Sequence, residues 1–364
     1  MISRNRKPLT REANRTLNLD EYGKGKVSLE SWPRYLVVEL TQGCNLRCPM
    51  CRPDYITPRQ RSMSDRLFEA VGRQLFPLAE MVDLRGWGES LILPDIAQRI
   101  RMVAEHGAKI RFVTNLAYRR DNVLETLVTY DCYVAVSLDT ADPELLTQLR
   151  GGARFDVVSR NLDILVQGFR RHYGDEERVY FTTTVQRPAL GSLPKLIDFA
   201  ASKGIHEVRM FTVTGDLRPD LSLESATGEV DRMLSEAAER ARRVGVKLVA
   251  GTRLGSLPEN PLTLPTCIHP WAYAYIAYDG GVGFCDHLIG ESGTPYLLGN
   301  LHASSFETIW NGPAWTELRR EHVTSREPSA AYFHECSWCY KNRYIDFEHL
   351  FDPNATSRIV QLEL

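Results

Sequence analysis

Between residues 35 and 250, apolar β-branched stretches alternate with amphipathic stretches of helical periodicity. The predicted strands cover 35–40, 81–85, 109–113, 132–138, 179–185, 207–213 and 247–250. The predicted helices cover 65–76, 96–106, 123–129, 155–170, 193–202 and 228–243. Strands that alternate with helices form a parallel sheet with right-handed crossovers. We therefore predict an α/β fold built on a partial (βα)6 TIM-like barrel, whose site lies at the carboxyl ends of the strands.

Composition excludes several classes of protein. The chain has 364 residues, with 44 Lys+Arg against 46 Asp+Glu, which argues against a nucleic-acid protein that works through a large basic surface. No apolar run approaches the ~20 residues that a membrane span requires. The basic N-terminal stretch lacks the apolar centre of a signal peptide. We expect a cytoplasmic protein of two or three packed units, with no nucleic-acid or membrane partner.

Seven of the eight cysteines fall into two groups, as expected for metal or catalytic residues in a reducing compartment. Three follow the first predicted strand, at Cys44, Cys48 and Cys51. Four come late in the chain, at Cys267, Cys285, Cys336 and Cys339. Cys132 stands alone on the fourth predicted strand, where buried packing is its expected role. This distribution predicts a large catalytic part followed by a smaller metal-binding part.

The loop 41–51 places three thiolates at the mouth of the predicted barrel. Thiolates suit iron-sulfur clusters and zinc. A closed structural site has four ligands, so three indicate a metal centre with one position open to a substrate or cofactor. The alternative is a structural zinc completed by a distant residue such as His106 or Cys132.

The spacing Cys44-x3-Cys48-x2-Cys51 resembles the signature of the radical S-adenosylmethionine (SAM) superfamily. The resemblance implies a 4Fe-4S cluster whose unique iron binds SAM, and an external one-electron reductant of the flavodoxin or ferredoxin type. It also implies that reductive cleavage of SAM yields a 5'-deoxyadenosyl radical, which abstracts hydrogen from a substrate. Met50 stands where the family often has an aromatic residue that packs near the adenine.

Polar residues at other strand ends fit the same resemblance. Gly86, Gly88 and Glu89 resemble the family's Gly-Gly-Glu-Pro element, in which the glutamate accepts hydrogen bonds from the SAM amino group. Three further positions match strand ends that face SAM in the family, namely Asn115, Ser137 and Asp139. No catalytic acid or base is identified from the sequence.

The late cysteines surround a predicted hairpin, with strands 273–278 and 282–285 and an Asp-Gly-Gly turn at 279–281. Four thiolates complete either a 4Fe-4S cluster or a zinc site, and spacing does not separate them. The stretches 299–301, 306–311 and 318–319 resemble the SPASM and twitch extensions of radical SAM enzymes. With four cysteines, the resemblance implies the shorter twitch type, with one auxiliary 4Fe-4S cluster fully ligated by Cys267, Cys285, Cys336 and Cys339.

The expected organisation is an N-terminal extension (1–34), a radical SAM barrel (35–250), a twitch-like domain (251–345) and a tail (346–364). Several arginines lie in or beside the strands, where a guanidinium fork can hold a substrate carboxylate: Arg52, Arg85, Arg111, Arg187 and Arg209. The substrate is therefore expected to be a small molecule that carries a carboxylate.

Within the twitch-bearing group, the resemblance points to enzymes of antibiotic biosynthesis of the cytosylglucuronate decarboxylase or cyclitol dehydrogenase type. It implies a small oxygen-rich metabolite (a sugar, sugar acid, nucleoside or aminocyclitol), with decarboxylation, dehydration or alcohol dehydrogenation as the outcome. Two alternatives remain open. One is a peptide-modifying SPASM maturase, and the other is a non-catalytic scaffold stapled by zinc.

Overall fold

A computed structural model describes residues 9–51, 57, 60–212, 220–223, 227–250, 267–285 and 296–324. The predicted ligands Cys336 and Cys339 lie outside these residues, as do Arg52 and the predicted tail 346–364.

Strands and helices alternate through the first part of the chain, and the strands continue beyond it. The strands are β1 (Tyr35–Val38), β2 (Met81–Asp83), β3 (Lys109–Thr114), β4 (Tyr133–Ser137), β5 (Val179–Val185), β6 (Glu207–Thr212), β7 (Lys247–Ala250), β8 (Tyr273–Ile276), β9 (Gly281–Gly283) and β10 (Leu297–Asn300). The helices are α1 (Arg11–Gly23), α2 (Asp65–Leu75), α3 (Ile96–Glu105), α4 (Asp121–Thr129), α5 (Pro143–Leu149), α6 (Phe155–Tyr173), α7 (Leu193–Lys203), α8 (Thr227–Val244), α9 (His269–Ala272), α10 (Phe306–Trp310) and α11 (Pro313–Thr324). None of these helices is long and apolar enough to cross a membrane.

All the strands belong to one sheet, in the order β10-β9-β8-β1-β2-β3-β4-β5-β6-β7. Strands β1 to β7 run parallel to one another in chain order, with one or two helices in each crossover. The predicted fold of a partial (βα)6 barrel with a C-terminal hairpin is confirmed. The hairpin of β8 and β9 joins the barrel sheet directly, because β8 pairs in parallel with β1.

The two faces of the sheet differ in chemistry. Side chains at alternate positions, such as Leu36, Phe112 and Phe181, are fully buried in the main apolar core with the helices. Because strand side chains alternate, the intervening residues point to the opposite side, which we call the inner face. This face carries many polar groups, including Asp83 and Arg111.

Helix α1 packs the N-terminal segment onto the C-terminal elements through polar side chains. Asn18 Nδ2 donates to the carbonyl oxygen of Trp271 at 2.7 Å, and the Glu21 carboxylate accepts from the backbone amides of Glu30 and Ser31. The same edge includes Arg319 of α11, which donates to three backbone carbonyls. The first and last described helices therefore pack on the same edge of the fold.

Candidate metal and cofactor site

The loop 41–51, which we call the cysteine loop, leaves the carboxyl end of β1 and is held by the turn after β2. The Gly88 amide donates to Thr41 O at 3.1 Å, and the Glu89 amide donates to Gly43 O at 2.9 Å. A Cβ atom on Gly88 would lie 2.4 Å from Gly43 O, a distance at which backbone has to move. Glycine at this position therefore allows the two loops to touch.

The loops after β3 and β4 hold the other side of the cysteine loop. Asn45 Nδ2 donates to Ala117 O at 2.8 Å, and the Arg47 amide donates to Gly151 O at 3.4 Å. Gly151 has a positive φ of 51°, and a Cβ there would lie 2.1 Å from the carbonyl carbon of Arg47. Three successive strand ends thus position the cysteine loop, mostly through backbone.

The three thiols are close enough to interact electrostatically. Cys44 and Cys48 are half-buried and Cys51 is exposed. Burial raises the pKa of the Cys48 thiol to about 12, and the Arg150 guanidinium opposes this shift. Among the described residues, no three side chains converge as they would on a single metal ion. A 4Fe-4S cluster does not require that convergence, because each thiolate binds a different iron.

Glu89 is a buried carboxylate at the entrance to the barrel. It accepts hydrogen bonds from Thr114 Oγ1 at 2.8 Å, from the Asn115 amide at 2.7 Å and from the Leu91 amide at 3.3 Å. Burial nevertheless raises its pKa to about 7. Asn115 Nδ2 in turn lies 3.8 Å from Cys44 Sγ, so one asparagine links the carboxylate to the first thiol.

Gly86 packs against a second buried carboxylate. A Cβ on Gly86 would lie 2.3 Å from Cγ of Glu39, whose carboxylate accepts from the Trp87 amide at 3.1 Å. Met50 in the cysteine loop and Ser137 at the end of β4 are both half-buried. Ser137 pairs in register with Thr182 of β5.

Asp139, which the sequence predicts to be a SAM contact, accepts several hydrogen bonds within the protein. Arg150 donates to both of its oxygens, at 2.7 and 2.6 Å. The Thr184 amide and the Gln186 side chain also donate to it, at 2.8 and 3.3 Å. Through these bonds Asp139 orients Arg150, whose guanidinium lies near Cys48.

The sequence analysis missed Arg150, although a signal for it exists. Residues 150–152 read Arg-Gly-Gly, and Gly151 is the residue that contacts the cysteine loop. An arginine directly before a glycine pair, in a turn at the carboxyl edge of a parallel sheet, is the pattern to search for.

Three of the five predicted arginines occupy the inner face. Arg85 and Arg111 both donate to Asp83, and Arg209 stacks on Tyr180. Arg187 lies in the turn after β5, where its amide donates to Leu221 O at 3.3 Å.

Cys267 and Cys285 flank the same end of the β8–β9 hairpin. Cys267 precedes α9 and is half-buried, whereas Cys285 follows β9 and is 8% exposed. The hairpin turn is the predicted one, with Gly280 at φ 84° and the Gly281 amide bonded to the Asp279 carboxylate. Cys132 is fully buried in the apolar core, as predicted.

Two family models match this chain. The model of the radical SAM superfamily matches residues 38–185, which begin at the last residue of β1 and include the cysteine loop and strands β2 to β5. The SPASM model, described as an iron-sulfur cluster-binding domain, matches residues 267–340, which include all four late cysteines.

Curated relatives and solved structures extend over most of the chain. An AdoMet-dependent heme synthase from Methanosarcina barkeri is 22% identical, over 87% of this chain and 94% of that protein. A tungsten-containing aldehyde ferredoxin oxidoreductase cofactor-modifying protein from Pyrococcus furiosus is 30% identical, over 79% of this chain and 83% of that protein. Streptococcus suis SuiB bound to its precursor peptide SuiA superimposes with a TM-score of 0.66 at 16% identity, covering 88% of this chain and 74% of that one.

Proposed function

Because the chain belongs to the radical SAM superfamily, we propose that it abstracts hydrogen from a small, oxygen-rich, carboxylated metabolite at the carboxyl end of its barrel. The cofactors are SAM and 4Fe-4S clusters. One cluster belongs to the radical SAM core, and the SPASM domain binds further iron-sulfur clusters. The observation that carries the proposal is the chain of contacts from Glu89 through Asn115 to Cys44.

We assign Cys44, Cys48 and Cys51 as the ligands of the SAM-binding cluster. Their loop is already shaped by backbone contacts with its neighbours, so cluster binding requires little rearrangement of the main chain. When bound, the reduced cluster and SAM supply a 5'-deoxyadenosyl radical for hydrogen abstraction. Arg150 balances part of the negative charge that three thiolates bring to the site.

We assign Glu89 as the acceptor for the SAM amino group. A carboxylate whose pKa is raised by burial gains most from a cationic neighbour, because the neighbour stabilises its charged form. Asn115 donates to the Glu89 carboxylate and to Asn45 of the cysteine loop, so it fixes the position of the carboxylate relative to that loop. Gly86 and Gly88 allow the turn to approach the loop, while Met50 and Ser137 line the same entrance as proposed SAM contacts.

We propose that Cys267, Cys285, Cys336 and Cys339 ligate one auxiliary 4Fe-4S cluster, in a domain that spans 251–345 after a barrel of 35–250. The position of Cys267 and Cys285 at one end of the hairpin supports this assignment. Strand β8 pairs in parallel with β1, so the two cysteine groups belong to adjoining strands: the cysteine loop follows the carboxyl end of β1, and Cys267 and Cys285 lie toward the amino end of β8.

The proposed substrate is a sugar acid or a related metabolite of the kind used in antibiotic biosynthesis, with decarboxylation, dehydration or alcohol dehydrogenation as the outcome. The cationic inner face supports a carboxylated molecule. The similarity to SuiB, at 16% identity, is a similarity of fold alone.

The test is anaerobic reconstitution, followed by iron and sulfide counting and by a SAM cleavage assay with dithionite. The wild-type protein should hold about eight irons and form 5'-deoxyadenosine. Cys48→Ala should abolish 5'-deoxyadenosine, because two thiolates do not hold the cluster that reduces SAM. Cys132→Ala, which removes a core thiol, is the control and should retain it. A Cys48→Ala protein with wild-type SAM cleavage, or a wild-type protein that holds zinc without iron, would refute the assignment.

A further inference from the structure

The middle of the inner face carries a charged cluster centred on Asp83. Its Oδ2 atom accepts from Tyr35 Oη at 2.7 Å, from Arg85 Nε at 2.7 Å and from Arg111 Nη1 at 2.5 Å. Asp83 has no solvent exposure. Since Asp83 and Arg111 are register partners on β2 and β3, the pair is positioned by the sheet itself.

Tyr180 of β5 connects this cluster to a third arginine. Arg111 Nε donates to Tyr180 Oη at 2.6 Å, and the Arg209 guanidinium carbon lies 4.1 Å from the centre of the Tyr180 ring. Arg209 also pairs with Glu207, which has Lys247 at 3.6 Å on its other oxygen. Two guanidinium groups therefore adjoin one aromatic ring.

The bonding of this cluster is incomplete for a purely structural network. Within the described ranges, Asp83 Oδ1 is buried without a donor, and neither Arg111 Nη2 nor the Arg209 Nη atoms make a hydrogen bond. The cationic side chains also outnumber the carboxylates, Asp83 and Glu207. Uncompensated positive charge and an unsatisfied acceptor are costly away from water, so the arrangement suits an anionic ligand.

The Tyr180 side chain lies between the two guanidinium groups, and small side chains flank it on the inner face. Ala135 of β4 pairs in register with Tyr180, and Thr182 of β5 pairs in register with Arg209. Arg111 precedes Asn115 by four residues, which at the rise of an extended strand is roughly 13 Å. The backbone of Arg111 thus lies about one small molecule's length below Asn115, whereas Arg209 is in register with Thr182 and, through it, with Ser137 at the end of β4.

We propose that Arg111 and Arg209 form the carboxylate subsite for the substrate, and that this substrate is a small hydroxylated acid; the assignment rests on the radical function proposed above. A carboxylate fits guanidinium forks with paired hydrogen bonds. Hydroxyl groups supply the donors that Asp83 lacks. Anchored by its acid group deep on the inner face, the ligand extends its C–H bonds toward the cysteine loop.

The experiment measures binding of three probes to the anaerobically reconstituted protein by titration calorimetry. The probes are glucuronate, glucose and glucose 6-phosphate. They share a sugar ring, but glucuronate carries a carboxylate, glucose 6-phosphate carries a phosphate and glucose is uncharged. Glucuronate should bind more tightly than both. Arg209→Gln should weaken glucuronate about 10- to 100-fold, the usual cost of losing a charged hydrogen-bond pair, and should leave glucose unaffected.

Two further variants distinguish a specific loss of glucuronate binding from a general effect on folding or surface charge. Arg111→Lys keeps the charge beside Asp83 and removes the fork, so it should weaken glucuronate while preserving the melting temperature. Arg240→Gln is the matched control, because Arg240 is exposed and pairs with Asp198 on the helical layer. It should leave binding of all three probes unchanged.

Several results would overturn the subsite. These are no measurable glucuronate binding at millimolar concentration, equal affinity for glucuronate and glucose, or equal behaviour of Arg209→Gln and Arg240→Gln. Tighter binding of glucose 6-phosphate than of glucuronate would show that the two arginines select a phosphate and not a carboxylate. SAM cleavage by the wild type is assayed in parallel. If the protein cleaves SAM but binds the three probes equally, only the subsite is rejected. If it prefers glucuronate but does not cleave SAM, only the radical function is rejected.

Discussion

The two cysteine regions are built in opposite ways. In the cysteine loop, three thiols lie within eight residues of sequence, and backbone contacts from three neighbouring strand ends hold their main chain. In the C-terminal region, a hairpin brings together Cys267 and Cys285, which are eighteen residues apart, and the other two cysteines come about fifty residues later.

The two regions therefore draw their folding energy from different sources. The cysteine loop is shaped by the barrel before any metal binds, because glycines at 88 and 151 allow neighbouring backbone to approach it. The four proposed C-terminal ligands are distant in sequence, so metal binding there would supply part of the energy that joins the segments. The same substitution should therefore have different consequences in the two regions.

Cys285→Ala should give the largest combined loss. Iron should fall from about eight to about four per chain, substrate turnover should collapse, and the melting temperature should drop, since the auxiliary cluster holds the hairpin to the C-terminal segment. SAM cleavage without substrate should survive. Cys48→Ala should lose a similar amount of iron with a smaller change in melting temperature, because backbone contacts still shape its loop. Equal melting temperatures for the two variants would contradict this contrast.

Gly88→Ala should abolish SAM cleavage by displacing the cysteine loop from Glu89. The added methyl would meet the Gly43 carbonyl, and overpacking of this kind costs about 1–3 kcal/mol of unfolding free energy. Gly228→Ala in α8 is the control, because nothing lies within 4 Å of its Cβ position. Denaturant unfolding and 5'-deoxyadenosine assays measure both effects. Full activity in Gly88→Ala would show that the close approach is unnecessary.

The buried carboxylate of Glu89 should make the metal-free protein less stable as pH rises. Its folded pKa of about 7 lies above the ordinary glutamate value of 4.5, so the folded state binds an extra proton between those values. Stability should therefore fall across that range, by as much as about 3 kcal/mol. The slope should be shallower in Glu89→Gln. Parallel pH profiles of unfolding free energy for the two proteins would show that Glu89 titrates normally.

Glu89→Gln should also weaken SAM binding in the reconstituted protein, by about 1–2 kcal/mol, since a charge-assisted hydrogen bond becomes a neutral one. Iron content should stay full. Glu69→Gln, on the exposed surface of α2, serves as the control and should bind SAM normally. Unchanged SAM affinity in Glu89→Gln at full iron content would remove Glu89 from the SAM site.

Much of the barrel was predictable from the sequence because its signals are local. Hydrophobic periodicity located the strands of the barrel and its helices other than the short α5, and β5 begins and ends at the predicted residues. The cysteine spacing and the Gly-x-Gly-Glu turn lie at strand ends, so their meeting at one edge follows from a parallel sheet. Helix α1 was missed because it buries Asn14, Asn18 and Glu21, which carry no apolar pattern.

Only the tertiary structure decided the partners that meet across the chain. The sequence predicted a hairpin but not its place beside β1, since strand pairing between distant segments depends on which sheet edge is open. The sequence likewise identified Asp139 as polar and strand-terminal, but it did not indicate the pairing with Arg150 that the fold creates. In the sequence, nothing distinguishes Arg85, Arg111 and Arg209 from other arginines in or beside the strands. Their gathering around Asp83 and Tyr180 arises because alternate residues of parallel strands share one face, and register sets which of them become neighbours.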